Sequence, residues 1–179
     1  MTNIFLIGYR CTGKTSAAKI LAEKLGWTFV DSDEAIAADI GCSIAEFIAA
    51  RGWTAFRDKE QQIIARLSKQ GRQAIATGGG AVMANENVHC MRTGGKVIWL
   101  QAAPETIRRR MRADAGTAAN RPSLTGQGSL EEIETVLAER EPYYAAAAHD
   151  VVNTDGLSIE EVVKKIIATT GANPTDPAG

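Results

Sequence analysis

Asn3-Ile4-Phe5-Leu6-Ile7 runs directly into Gly8-Tyr9-Arg10-Cys11-Thr12-Gly13-Lys14-Thr15, and these thirteen positions decide the architecture. An apolar run too short for a buried helix reads as a strand. The octet after it fits G-x-x-x-x-G-K-[ST], and helical periodicity takes over from Lys14 to Leu25. Glycines at both ends let the backbone turn tightly, so that successive N–H groups converge on phosphate oxygens. The helix starting near Lys14 adds its positive dipole end. Gly8, Arg10, Cys11, Thr12, Gly13, Lys14 and Thr15 are therefore the candidate residues for the phosphates of a nucleoside triphosphate. Lys14 would bridge the β- and γ-phosphates, and the Thr15 hydroxyl is placed to ligate Mg²⁺. Cys11, near a helix N-terminus that can lower a thiol pKa, is read as a packing residue.

Outward from this segment, short apolar runs alternate with helical stretches. Strands are predicted at Asn3 to Ile7, Thr28 to Asp31, Gln73 to Thr77, Lys96 to Leu100 and His149 to Asn153. Helices are predicted at Lys14 to Leu25, Ser32 to Asp39, Ser43 to Arg51, Trp53 to Gln70, Asn85 to Arg92, Pro104 to Met111, Leu130 to Ala146 and Ser158 to Thr169. The alternation predicts an α/β fold, a five-stranded parallel sheet flanked by helices in three layers. Residues 113–129, rich in Gly, Ala, Thr and Asn and carrying Arg121, read as a mobile lid loop. Residues 171–179, with two prolines and two glycines, read as a frayed tail.

The 179 residues suit one compact domain, here 1–170. With 20 basic and 21 acidic side chains there is no global field for a nucleic-acid backbone or an anionic membrane. No stretch resembles a signal peptide or a membrane span, so a cytoplasmic location is expected. Cys11, Cys42 and Cys90 have neither C-x-x-C spacing nor a histidine cluster, so reduced thiols are expected. No long apolar stripe beyond the core is evident, which favours a monomer.

The same cradle serves switches, motors and small-molecule kinases, so other segments must decide. A guanine-specific N-K-x-D tetrapeptide is absent, and the strand through Val97 to Leu100 ends in Gln101 rather than in the carboxylate a motor would need. The second strand ends instead in Asp31-Ser32-Asp33, two carboxylates at the sheet edge where α/β ligand sites form. Asp31, through water, could approach the metal, and Asp33 an acceptor hydroxyl; helix capping explains Asp33 equally well. In Phe56-Arg57-Asp58-Lys59-Glu60, Phe56, Arg57 and Glu60 share a helical face. That pattern suits a ring-shaped acid, or merely an ion pair on a solvated face. Gly78-Gly79-Gly80 follows the third strand, either so that a ligand can approach the backbone or as a flexible turn.

Taken in order, GYRCTGKT, FVDSD, FRDKE, GGGAV at Gly78 to Val82, NRPSLT in the lid, and Arg140-Glu141-Pro142-Tyr143-Tyr144 resemble the shikimate kinase family over nearly the whole chain. This family lies in the nucleoside monophosphate kinase-like branch of P-loop proteins. The resemblance implies transfer of a phosphoryl group from ATP, with Mg²⁺, to the 3-hydroxyl of shikimate on the route to chorismate and aromatic amino acids. It implies that Asp33 meets the ring hydroxyls, that Arg57 and Arg140 bind the carboxylate with help from the Gly79 amide and its neighbours Gly78 and Gly80, and that Glu60 orients Arg57. Arg121 would meet the transferring phosphoryl group, and Arg109 is taken as the arginine nearest adenine. Two converging guanidinium forks suit a planar carboxylate and would repel each other without one.

Two positions depart from the pattern of many members: Cys11 replaces a second cradle glycine, and Ser123 replaces a leucine after the loop's Arg-Pro. Ser123 makes the lid's substrate side more polar and passes its contact to Leu124. The competing assignments are another small-acid kinase, such as a gluconate kinase, and a non-catalytic ATP-binding regulator. FRDKE with GGG argues against the first. An intact acceptor constellation, useless to a sensor, argues against the second.

Overall fold

The computed structural model describes residues 3–113 and 132–174. Arg121, almost all of the expected lid and the end of the expected tail lie outside these residues.

Five parallel strands, β1 (Asn3–Ile7), β2 (Thr28–Asp31), β3 (Gln73–Ala76), β4 (Gly95–Gln101) and β5 (Asp150–Asn153), form one sheet in the order β2-β3-β1-β4-β5. All neighbours pair in parallel, with Ile4 opposite Ala74 on one side of β1 and opposite Lys96 on the other. Among the described residues seven helices complete the fold: α1 (Lys14–Leu25), α2 (Ser32–Ile40), α3 (Ile44–Ser68), α4 (Asn85–Gly94), α5 (Pro104–Ala113), α6 (Ile133–Ala147) and α7 (Ile159–Thr170). A 3₁₀ turn spans Ala81–Met83.

The unbroken apolar run of β1 has a simple cause: both faces of the sheet are covered. Ile4 and Leu6 point into one core, with Leu21 of α1 and Val163 and Ile166 of α7. Phe5 and Ile7 point into the other, with Ile63 and Ile64 of α3, Met91 of α4 and Tyr144 of α6. A third, smaller cluster joins Tyr9 to Ile107 of α5 and to Ile133 and Val136 of α6, and so packs these two helices beneath the cradle.

The expected break between two helices at Gly52 is a kink inside α3, where Gly52 takes φ 82° and ψ 169°. Ser43 and Glu46 form a reciprocal capping box that starts this helix. The expected tail is held further than its composition suggests. Gly171 closes α7, Ala172 packs on the core, and Arg72 donates to the Pro174 carbonyl at 3.0 Å. Among the described residues no helix is long and apolar enough to cross a membrane.

Candidate active site

The cradle joins the carboxyl end of the central strand β1 to α1. Gly8 has φ 137°, and a Cβ there would run into the Leu100 carbonyl of β4, so no side chain fits. Gly13 occupies the N-cap of α1. No side chain caps that end and its first turn has no acidic residue, which leaves the N-terminus suited to phosphate. The Lys14 side chain folds back over the turn, with Nζ donating to the carbonyls of Gly8 at 2.9 Å and Tyr9 at 2.7 Å. Thr12 donates its hydroxyl to the same Tyr9 carbonyl at 2.9 Å. The Arg10 side chain, expected at the nucleotide, turns instead to the buried Glu132 carboxylate, 3.0 Å away, and lies over the Tyr9 ring. What Arg10 offers the cradle is its backbone.

The Thr15 hydroxyl donates to Asp31 Oδ2 at 3.0 Å, while Asp31 Oδ1 accepts the Asp33 N–H at 3.0 Å. The cap of α2 is therefore Asp31, not Asp33 as the sequence alternative had it. Capping by Asp31 leaves the Asp33 carboxylate directed at the glycine turn, where a Cβ on Gly78 would lie 2.7 Å from its Oδ1. A hydroxyl and a carboxylate oxygen side by side are hard donors of the kind Mg²⁺ takes when substrate phosphates and water complete its shell. The donor set fits the ion.

A cavity of about 330 Å³ opens beside the cradle, lined by Cys11, Thr12, Gly13, Ser16, Arg110, Thr154, Leu157, Ile159 and Val162. Cys11 borders it with a left-handed backbone at φ 58°. Arg109, expected here, is exposed on α5, and Arg108 pairs with Glu134 at 3.1 Å. Arg110 is the arginine that reaches the cavity, donating to the Thr154 hydroxyl at 3.0 Å and to the carbonyls of Thr154 at 2.9 Å and Cys11 at 3.3 Å. Sequence reasoning missed Thr154 and Leu157, which belong to no motif. Their one signal is position, just past the carboxyl end of a strand in a parallel sheet.

Across the cradle, around the Gly78–Gly80 turn, lies a second cluster of charged side chains. Arg57 Nη1 donates to Glu60 Oε2 at 2.7 Å. Glu60 is only 1% exposed, which removes the solvated-face alternative. Burial pushes the Glu60 carboxyl above the usual range, and the Arg57 charge and hydrogen bond pull against that shift. Glu60 also feels the charges of Asp33 and Arg140, so side chains from α2, α3 and α6 come close together here. The Arg57 guanidinium rests over the rings of Phe56 at 5.2 Å and Trp53 at 5.5 Å.

The three glycines have separate duties. A Cβ on Gly80 would lie 2.6 Å from Arg57 Nη2, and Gly78 faces Asp33 while its N–H donates to the Ser32 hydroxyl at 3.0 Å. A Cβ on Gly79 would sit 3.5 Å from the Gly8 carbonyl and 3.8 Å from both Arg140 Nη1 and the Tyr144 hydroxyl. The turn is thus a wall shared by cradle and pocket rather than a flexible connection. Tyr144, which sequence reasoning did not assign, donates its hydroxyl to the Gly79 carbonyl at 2.6 Å. Its signal was the four-residue spacing from Arg140 on one helix face.

A nucleotide cradle whose far wall is a glycine turn facing two arginines is the arrangement of a P-loop kinase for small anionic acceptors. The family model for shikimate kinase matches residues 10–170. Among curated relatives, a shikimate kinase of Symbiobacterium thermophilum is 42% identical over 165 residues, covering 92% of this chain and 94% of its own. One from Oleidesulfovibrio alaskensis is 43% identical over 153 residues, covering 86% and 88%. Among solved structures, shikimate kinase from Acinetobacter baumannii in complex with shikimate superposes with a TM-score of 0.85 at 30% identity, covering 98% of this chain and 96% of that one. The chain belongs to the shikimate kinase family.

Proposed function

We propose that this protein transfers the γ-phosphoryl group of ATP to the 3-hydroxyl of shikimate, releasing shikimate 3-phosphate and ADP. The observation that carries the proposal is the placement of Arg57 and Arg140 around the Gly78–Gly80 turn, whose other side abuts the cradle. Guanidinium forks hold a planar carboxylate in a defined orientation, so an acid bound there presents its ring toward Asp33 and the phosphates.

Each described side chain then has a task. Arg57, held by Glu60, and Arg140 take the carboxylate. Asp33 accepts a hydrogen bond from the reacting hydroxyl and orients its oxygen for in-line attack on the γ-phosphorus. As that O–P bond forms, the bond from phosphorus to the β,γ-bridging oxygen breaks, ADP leaves, and the hydroxyl proton passes to the Asp33 carboxylate and on to solvent. Lys14 follows the charge moving onto the β-phosphate, and the α1 N-terminus holds the phosphates in register. Thr15, with Asp31 behind it, would hold Mg²⁺, which when bound neutralises charge on the β- and γ-phosphates. Arg110 and the lining of the neighbouring cavity take the nucleoside end. Arg121 is assigned to the transferring phosphoryl group on the family resemblance alone.

The test is ADP release from Mg-ATP by purified protein, with shikimate, gluconate, nucleoside monophosphates and no acceptor compared side by side. Release that depends on shikimate alone is the expected result. Stimulation by gluconate in its place would move the acceptor assignment, and ATP binding without any stimulated release would favour a sensor.

A further inference from the structure

The two arginines of the acid pocket come from different elements, α3 and α6, so a group packed between those elements can set their separation. Tyr144 is placed to be that group. It lies one turn beyond Arg140 on α6, its side chain is fully buried, and its ring stacks on Trp99 of β4 with centroids 5.7 Å apart. Its hydroxyl donates to the Gly79 carbonyl at 2.6 Å, and the Arg140 guanidinium stands at the same residue, since a Cβ on Gly79 would lie 3.8 Å from both Arg140 Nη1 and the Tyr144 hydroxyl.

The Gly79 carbonyl belongs to the planar unit that continues into Gly80, and a bond to that oxygen fixes the plane. Gly80 is in turn the residue whose α-carbon stands against Arg57. One hydroxyl therefore fixes a turn that faces Arg140 at Gly79 and Arg57 at Gly80. We propose that Tyr144 is a positioning residue for the acceptor, setting the separation of the two guanidinium groups that grip its carboxylate. The proposal rests on the assignment of this pocket to the acid. It fits the state of the phenol, whose pKa burial pushes up to about 12, so that it remains a donor at every working pH.

The decisive variant is Tyr144→Phe, which keeps the ring and its stacking and removes only the hydroxyl. Losing this hydrogen bond and leaving the Gly79 carbonyl without its donor corresponds to about a tenfold change in an equilibrium constant. The KM for shikimate should rise about tenfold, with the KM for ATP and the unfolding midpoint nearly unchanged. In an Arg140→Ala background the same substitution should add less than about twofold, because one of the two guanidinium groups whose separation the turn sets is already gone. Trp99→Phe is the packing control: it should lower the unfolding midpoint and leave the shikimate KM in place.

An unchanged shikimate KM in Tyr144→Phe, an equal rise in both KM values, full multiplication with Arg140→Ala, or a matching rise in Trp99→Phe would each overturn the proposal. Failure of the acid assignment looks different, since the unaltered protein would then show no shikimate-dependent ADP release.

Discussion

The cradle and the acid pocket share a wall but are built in opposite ways. The cradle is a single octet whose work is done largely by backbone: Gly8 is excluded from carrying a side chain by the main chain of β4, and Gly13 opens the end of α1. The pocket is assembled from Asp33, Arg57, Glu60 and Arg140 on three helices, and meets in space only because the sheet order sets β3 beside β1. Its glycines yield to side chains rather than to strands. A backbone site is local and unforgiving, whereas a side-chain site is distributed and can be altered one contact at a time.

The largest expected effect lies in the cradle. Lys14→Met should lower kcat by about 10³-fold, the scale for removing a preorganised charge from a developing transition state. The fold and shikimate binding should survive, and turnover assays alongside calorimetric titration with shikimate check both. Near-normal turnover would mean that the two regions are not divided as described.

Next in size, Arg57→Ala should weaken shikimate binding by about 10²-fold, since it removes a charge-assisted grip and leaves Glu60 buried without its partner. ATP affinity, read by a fluorescent nucleotide, should change little. Equal loss for both ligands would merge the two regions into one.

Gly80→Ala sharpens the contrast. The added methyl meets the far end of a flexible side chain, Arg57 Nη2, and the Gly80 φ of −104° is open to alanine. We expect the guanidinium to move and the shikimate KM to rise about tenfold with little change in unfolding midpoint. A large loss of stability instead would show that the turn is as rigid as the cradle.

The smallest effect is remote from both regions. His149 Nδ1 accepts the Val97 N–H at 2.9 Å, so the ring must be neutral, and burial, with Arg92 and Lys96 nearby, lowers its pKa. The unfolded chain therefore takes up this proton first as pH falls through about 6.5, and stability declines below that value. Glu60, with its raised pKa, works in the opposite direction, so the comparison must be with a variant. His149→Asn, which keeps an acceptor without the titration, should remove a decline of about 2 °C in unfolding midpoint between pH 7.5 and 5.5. Identical slopes in the two proteins would dismiss the histidine.

The sequence by itself determined the cradle and the parallel sheet, because these depend on local periodicity and on glycines whose place in the chain is their function. It left Arg57 and Glu60 undecided between a solvated ion pair and a site until family resemblance intervened, since burial is not a local property. Only the tertiary structure decided that Asp31 caps α2, leaving Asp33 directed at the glycine turn, and that Arg110 rather than Arg109 faces the cavity beside the cradle. Three consecutive arginines point about 100° apart around a helix, and no pattern within the helix sets its rotation against the sheet. Tyr144 was hidden for the same reason: its partner is a carbonyl 65 residues away in sequence, and only packing brings the two together.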